Sequence, residues 1–287
     1  MTILVTGGRG LLGRALATHD NVRALGADRL DIRDTAQVDR VLSDFAWEAV
    51  INCAAYTKVD RAETGSEVEL AYAINCDGAN KLARACRDRD VPLIYVSTDY
   101  VFDGTAKQPY REDAPIAPIN VYGSSKAAGE RAVHAAGGIV VRTSWLFGEG
   151  GPSFVHTIVR LAQAQRVLRV VADQRGRPTY TRDLAAVLIK IAALAAASEP
   201  LRETYHFCNT DEVTWYVFAG AIVDELQRYG DVTCKHIEPI TTAEYPTAAR
   251  RPANSVLDTQ AIEQLGIKPT SWFGGMLRVV AEAARRA

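Results

Sequence analysis

The chain begins with a strand that runs directly into a glycine loop. Ile3-Leu4-Val5-Thr6 is short, apolar and β-rich, the pattern of a buried parallel strand. Gly7-Gly8-Arg9-Gly10-Leu11-Leu12-Gly13 follows at once, and Leu11, Leu12, Ala15 and Leu16 then recur at helical spacing. Gly8, Gly10 and Gly13 match G-x-G-x-x-G; Gly7, Gly10 and Gly13 match its G-x-x-G-x-x-G variant. Strand, glycine loop and helix in that order make a dinucleotide-binding turn. Glycines allow the tight turn and let a pyrophosphate approach the backbone, and the helix start offers free N–H groups to phosphates. The feature predicts an α/β fold, a Rossmann-type doubly wound parallel sheet.

The elements that follow extend this reading. A second strand is expected over Val22 to Leu25. In NAD-preferring sites an acidic residue near its end takes the ribose hydroxyls. Here Gly26 stands near that end, and Arg9 in the glycine loop is placed to meet a 2′-phosphate. Both favour NADPH, with NADH still open. Asp31 and Ile32 either edge the adenine or belong to a solvated loop. A third buried strand, Ala49 to Ala55, ends in small residues that leave room for a ligand. One long helix is expected from Glu67 to Asp88, with Asn75 as a structural hydrogen bonder on its apolar face.

The chemistry concentrates in the next two segments. A strand ends in Ser97-Thr98-Asp99, which puts hydroxyls at the carboxyl end of a central strand. Pro109, Pro115 and Pro118 then mark a loop, and a helix carries Tyr122 and Lys126. Residues four apart on a helix share a face. A phenol has an unperturbed pKa of about 10, and an ammonium beside it is expected to bring its proton into working range. Y-x-x-x-K alone is common on helix surfaces. With Thr98 at a strand end, a hydroxyl, a phenol and an ammonium can converge on one carbonyl.

The chain has 287 residues and a net charge of −1, which gives no reason to expect nucleic acid or an anionic membrane as partner. The most apolar stretch, Leu184 to Ala197, is too short to span a bilayer and contains Lys190. The five cysteines have no C-x-x-C spacing, so reduced thiols in a cytoplasm are expected. The first residues do not read as a signal peptide. Residues 1–145 read as an NAD(P)-binding domain to which some later segments return. Residues 146–287 read mainly as a smaller α+β substrate domain, with helices at Phe154–Gln165, Asp183–Ala197, Thr214–Tyr229 and Trp272–Arg286. Thr214 is a candidate helix cap, and Trp145 is either core or ligand contact. Asp173, Gln174 and Arg175 read as a solvated loop.

These segments resemble the short-chain dehydrogenase/reductase superfamily in its extended, sugar-nucleotide-modifying branch, and within it the dTDP-4-dehydrorhamnose reductase family. The matching pieces are Thr6 to Gly13, Asn52 to Thr57 with Val59-Asp60, Ser97 to Gly104, Asn120 to Glu130 and Val141 to Trp145. They continue with Asp173-Gln174, Gly176, Pro178-Thr179, Thr214-Trp215-Tyr216, Tyr245-Pro246-Thr247, Ala249 to Pro252 and Asn254-Ser255. The resemblance implies an NAD(P)H-dependent oxidoreductase that reduces the C4 keto group of a nucleotide-linked 4-keto-6-deoxysugar. It implies Tyr122 as general acid, Lys126 as its partner on the nicotinamide ribose, and Thr98 as a hydrogen bonder to the same oxygen. It further implies that Gly10, Leu11 and Leu12 line the pyrophosphate, that Asp31 and Ile32 meet the adenine, and that Ala55, Tyr56 and Thr57 flank the cofactor's middle. Thr98, Asp99 and Trp145 would touch the sugar, and Arg250 and Asn254 the far end of the substrate, where Arg250 or Arg251 suits a diphosphate.

There is one departure. Some family members carry an acidic residue shortly after Pro-Thr, linked to a metal-bridged dimer. Here Arg182 stands near that place, so neither the metal nor that dimer is expected. The oligomeric state is left open, a homodimer included. Two other functions stay open. A dehydratase or epimerase of the same branch is one, although the dehydratase's Asp-Glu pair is incomplete because Tyr100 follows Asp99. A non-catalytic regulatory subunit, similar to that of methionine adenosyltransferase, is the other.

Overall fold

The computed structural model describes residues 1–286. The fully buried strand β1 (Ile3–Thr6) is followed by helix α1 (Leu11–Leu16) and β2 (Val22–Leu25). Helix α2 (Thr35–Ser43) starts where the Asp34 carboxylate accepts the N–H groups of Ala36 and Gln37, and β3 (Ala49–Asn52) comes next. Then follow α3 (Ser66–Tyr72), α4 (Ala79–Arg87), β4 (Leu93–Thr98), α5 (Val121–Ala135) and β5 (Ile139–Thr143).

The second half begins with β6 (Leu146–Phe147), α6 (Phe154–Ala164), β7 (Val167–Val171), β8 (Arg175–Gly176) and β9 (Thr179–Tyr180). It continues with α7 (Thr181–Ala196), β10 (Thr204–His206), β11 (Val213–Thr214) and α8 (Trp215–Leu226), which the Thr214 hydroxyl caps. The last elements are β12 (His236–Ile240), α9 (Gln260–Glu263) and α10 (Phe273–Arg286).

Six strands form one sheet in the order β10-β5-β4-β3-β1-β2, with every neighbouring pair parallel. The fold is α/β with a Rossmann-type sheet. The chain leaves β1 toward β2 on one side and resumes at β3 on the other, so the strand order reverses between β1 and β3. Ligands of such sheets bind outside the carboxyl ends of the strands at that reversal. The glycine loop after β1 and the segment Cys53–Thr57 after β3 flank this crevice.

The chain after residue 146 serves two cores. Leu184, Leu188 and Ile191 of α7 pack with Ile3, Val5 and Ile51 of the main sheet, and β10 adds a parallel strand beside β5. A separate core joins Phe147 of β6, Ile158 of α6, Leu168 of β7, Phe218 of α8, Met276 of α10 and Trp272 just before it.

The long helix expected from Glu67 to Asp88 is interrupted. Residues Ala73–Gly78 form a π-helical turn between α3 and α4. The Asn75 carbonyl is turned aside to accept the Tyr95 hydroxyl at 2.8 Å, and a Cβ on Gly129 of α5 would lie 2.1 Å from it. The Asn75 side chain accepts the Tyr56 N–H at 2.8 Å and donates to the Tyr56 carbonyl and to Ser125 Oγ. The helix yields its regular ladder to fasten the segment after β3 to α5.

Candidate active site

Helix α5 is fixed at three points. Asn120 caps it by accepting the Gly123 N–H at 2.7 Å. Gly123 and Gly129 let it approach the backbone of Tyr100 and Asn75 closer than any side chain permits. Glu130 and Arg142 of β5 form a buried two-pronged ion pair, with contacts of 2.8 and 2.9 Å. Breaking one partner of such a pair typically costs about 3–5 kcal/mol. The helix thus presents Tyr122 and Lys126 from a rigid support.

Both residues line a cavity of about 370 Å³ over the carboxyl ends of β1, β3 and β4. Gly10, Leu11, Leu12 and Gly13 form one wall, Cys53, Ala55 and Thr57 another, and Thr98, Asp99 and Trp145 the end. The Thr98 hydroxyl accepts the Tyr100 N–H and donates to Asp99 Oδ1 at 3.0 Å. Two buried oxygens of this wall, Ser97 Oγ and Asp99 Oδ2, have no hydrogen-bond partner among the described residues. Unpaired buried polar atoms are rare, and here both belong to residues that line the cavity.

The electrostatics differ in one respect from the simple tyrosine–lysine pair. Burial pushes the Tyr122 phenol up to about 12, with the nearby Thr98 hydroxyl pulling it down. Burial also pushes the Lys126 ammonium down to about 7, with the Glu130 carboxylate opposing. Lys126 Nζ donates to the Val96 carbonyl at 2.7 Å and lies 3.8 Å over the Tyr95 ring. The expected lowering of the phenol by the ammonium is therefore not the dominant effect in the free protein. Tyr122 stays protonated at neutral pH, as a proton donor must. Burial raises Asp99 to about 7, with the nearby hydroxyls of Ser255 and Thr98 opposing.

Trp145 sits at φ +47°, in the left-handed region that costs a non-glycine residue roughly 1–3 kcal/mol. Its indole stacks on Trp215 with centroids 3.4 Å apart, donates to Ser255 Oγ, and covers Gly176, where a Cβ would come within 2.4 Å of the ring. Behind Trp215 opens a second, larger cavity of about 600 Å³, lined by α6, β7, Gln174, Tyr245 and Arg251. The stacked pair stands between them, Trp145 on the first and Trp215 on the second. The larger cavity is mostly apolar and holds neither the glycine loop nor a lysine, whereas the smaller one joins Tyr122, Lys126 and Thr98 to Gly10–Gly13.

The family described as RmlD substrate binding domain matches residues 1–285. The chain is 44% identical to a dTDP-4-dehydrorhamnose reductase of Aggregatibacter actinomycetemcomitans, over 98% of this chain and 99% of that one. The chain belongs to the dTDP-4-dehydrorhamnose reductase family. A dTDP-4-keto-6-deoxy-D-glucose reductase of Streptomyces niveus is 36% identical, over 93% of this chain and 91% of that one. The crystal structure of a dTDP-4-dehydrorhamnose reductase from Bacillus anthracis in complex with NADP has a TM-score of 0.89 and 37% identity, covering 98% of this chain and 100% of that one.

Against the reductase family's expected residues, the structure brings Thr98, Asp99, Tyr122, Lys126 and Trp145 to one cavity with Gly10 to Gly13, Ala55 and Thr57. Others stand elsewhere. Ile32 is buried against Gly78 in the core, and Asp31 is held by the Arg33 guanidinium, which keeps its carboxyl below the usual range. Tyr56 is buried, with its hydroxyl on Glu67. Asn254 is also buried; it donates to the Ala106 carbonyl and accepts the Val256 N–H, so its side chain is spent on a loop. Arg250 is exposed and lines neither cavity, whereas Arg251 lines the larger one and grips Asp60 through contacts of 2.6 and 3.0 Å.

Sequence reasoning assigned no role to Trp215, Ser255 or Asp60, although each lies in a segment shared with the family. The Asp173–Arg175 cluster is not simply solvated. Gln174 is buried and accepts from the Trp215 indole at 3.2 Å, and Asp173 accepts both the N–H and the hydroxyl of Thr242. Arg182 pairs with Glu149 at 3.2 Å. Among the described residues there is no group of three or more His, Cys, Asp or Glu able to hold a metal ion, and no helix long and apolar enough to cross a membrane.

Proposed function

We propose that this chain reduces the C4 keto group of dTDP-4-dehydro-L-rhamnose to give dTDP-L-rhamnose, with NADPH as reductant. The observation that carries the reading is that Thr98 and Tyr122 line one cavity, walled by the glycine loop. Two hydroxyls at that point suit a carbonyl oxygen that gains a proton. The glycine loop fits a dinucleotide: a Cβ at Gly13 would lie 2.4 Å from the Gly7 carbonyl, so the turn closes only with hydrogen there, and its backbone faces the cavity.

NADPH, when bound, supplies the hydride that reaches C4 of the sugar. Tyr122 donates its phenolic proton to the developing C4 alkoxide. Thr98 donates to the same oxygen and, with Tyr122, stabilises the negative charge where it forms. Lys126, which donates to the Val96 carbonyl here, would hold the nicotinamide ribose and steady the phenolate that Tyr122 leaves behind. Ser97 Oγ and Asp99 Oδ2, unpartnered within the described residues, would find partners among the cofactor and sugar hydroxyls. Trp145 bounds the sugar, and the larger cavity takes the nucleoside, with Arg251 toward the diphosphate. With this reading goes a cytoplasmic reaction, where activated sugars and reduced nicotinamide are both at hand.

The test is Tyr122→Phe. It removes the proton donor and leaves the ring, so turnover should fall about 10²- to 10⁴-fold while the NADPH dissociation constant stays within about twofold. Unimpaired turnover would remove Tyr122 from the mechanism.

A further inference from the structure

At the end of β2 two opposed cofactor determinants converge on one point. Gly26 has no side chain, yet a Cβ built there would lie 2.7 Å from Asp28 Oδ1 and 3.0 Å from both Cγ and Cδ of Arg9. A carboxylate oxygen from Asp28 therefore stands where the side chain of an acidic residue at the strand end would begin. The Arg9 stem crosses the same spot from the glycine loop. The two are joined: Arg9 Nη2 donates to Asp28 Oδ2 at 2.7 Å, and both side chains are largely exposed. The loop beneath is fixed, since the Gly8 N–H donates to the Leu25 carbonyl at 2.8 Å and Arg14 Nε donates to the Arg9 carbonyl at 3.0 Å.

A carboxylate at this point takes the 2′- and 3′-hydroxyls of NADH, and an arginine takes the 2′-phosphate of NADPH. We propose that Arg9 and Asp28 form a paired selector for the 2′ position of the cofactor's adenosine ribose. Asp28 receives the hydroxyls of NADH, and the 2′-phosphate of NADPH displaces Asp28 from Arg9. The phosphate carries nearly two negative charges and three acceptor oxygens. It outcompetes one carboxylate for the guanidinium, because an exposed ion pair of this kind is weak. Asp28 thus tempers the NADPH preference that Arg9 creates and keeps the site open to NADH. The inference rests on the reading of the glycine loop as the cofactor site.

Titration of the full-length protein with NADPH and with NADH, followed by nicotinamide fluorescence, tests it without recourse to turnover. Arg9→Ala should weaken NADPH about tenfold or more and leave NADH within about twofold. Asp28→Ala should tighten NADPH and weaken NADH, each by about three- to tenfold. In the double variant the NADPH gain should vanish, because no arginine is left to release. An Asp28→Ala protein in which both constants shift equally, or neither shifts, overturns the selector while leaving the cofactor site in place. An Arg9→Ala protein with unaltered NADPH binding overturns the placement of the 2′-phosphate itself. Both side chains are exposed, so the variants should fold, which their melting temperatures verify.

Discussion

The Lys126 ammonium donates to the Val96 carbonyl at 2.7 Å, on the strand that carries Thr98, instead of lying against the Tyr122 phenol. The buried charge is poorly compensated, and burial brings its pKa down to about 7, from about 10.4 in an unfolded chain. Below pH 7 both states are protonated and the burial penalty acts in full. Between pH 7 and about 10.4 the unfolded chain binds the extra proton, so this group's contribution to stability rises with pH. A Lys126→Met protein, which has no charge to bury, should gain most relative to wild type near pH 6, and the gain should shrink toward pH 10. Denaturant midpoints across that range measure it. A difference independent of pH would mean that the ammonium is not strained in the free protein. If Lys126 holds the ribose as proposed, the same variant should bind NADPH more weakly.

Asp99 runs the opposite way. Its folded pKa is raised to about 7, above an unfolded value of about 3.9, so the native state holds the proton longer. Its contribution is full below about pH 4 and is lost as pH rises to 7. His206, pushed down to about 3 by burial and by Arg142, gains with pH across part of the same window and masks the trend in the wild type. Comparison with Asp99→Asn isolates it: the wild-type advantage should fall between pH 4 and 7 and stay flat just above. An advantage that grows with pH would reverse the assignment.

The stack of Trp145 on Trp215 holds a strained backbone at the end of the smaller cavity. Two indoles 3.4 Å apart couple their transitions, so the near-ultraviolet circular dichroism of the wild type should contain a component that either Trp145→Phe or Trp215→Phe abolishes. Trp215→Ala should raise KM for the nucleotide sugar about tenfold, through loss of an aromatic contact worth roughly 0.5–1.5 kcal/mol and of the cavity wall, with kcat less affected. Equal loss in KM for cofactor and sugar would argue for general unfolding of the site.

The arginine pair Arg250 and Arg251 separates by geometry. Arg251 lines the larger cavity, and Arg250 is exposed. Arg251→Gln should raise KM for the nucleotide sugar about tenfold or more with little change for NADPH, and Arg250→Ala should do less. Equal effects from the two would remove Arg251 from the diphosphate.

The first half of the chain was legible because its determinants are local. Gly7, Gly10 and Gly13 sit directly between a strand and a helix, and Thr98 ends a strand whose apolar run is plain. The second half was less so because its contacts are distant in sequence. Nothing local says that α7 returns to the main sheet, that Trp215 stacks on Trp145, or that Asn254 is spent on the Ala106 carbonyl. Arg250 and Arg251 are chemically identical neighbours, and only the partner carboxylate of Asp60 separates them. The break at Asn75 in the expected helix was missed for a similar reason, since the hydroxyl that turns its carbonyl aside belongs to Tyr95.

Net reduction at C4 can be measured directly. Purified protein should be incubated with dTDP-4-dehydro-L-rhamnose and NADPH, with nicotinamide absorbance followed and the sugar product resolved by NMR. One NADPH should be oxidised for each dTDP-L-rhamnose formed. Conversion of the sugar without net oxidation of nicotinamide, as an epimerase or dehydratase gives, would contradict it.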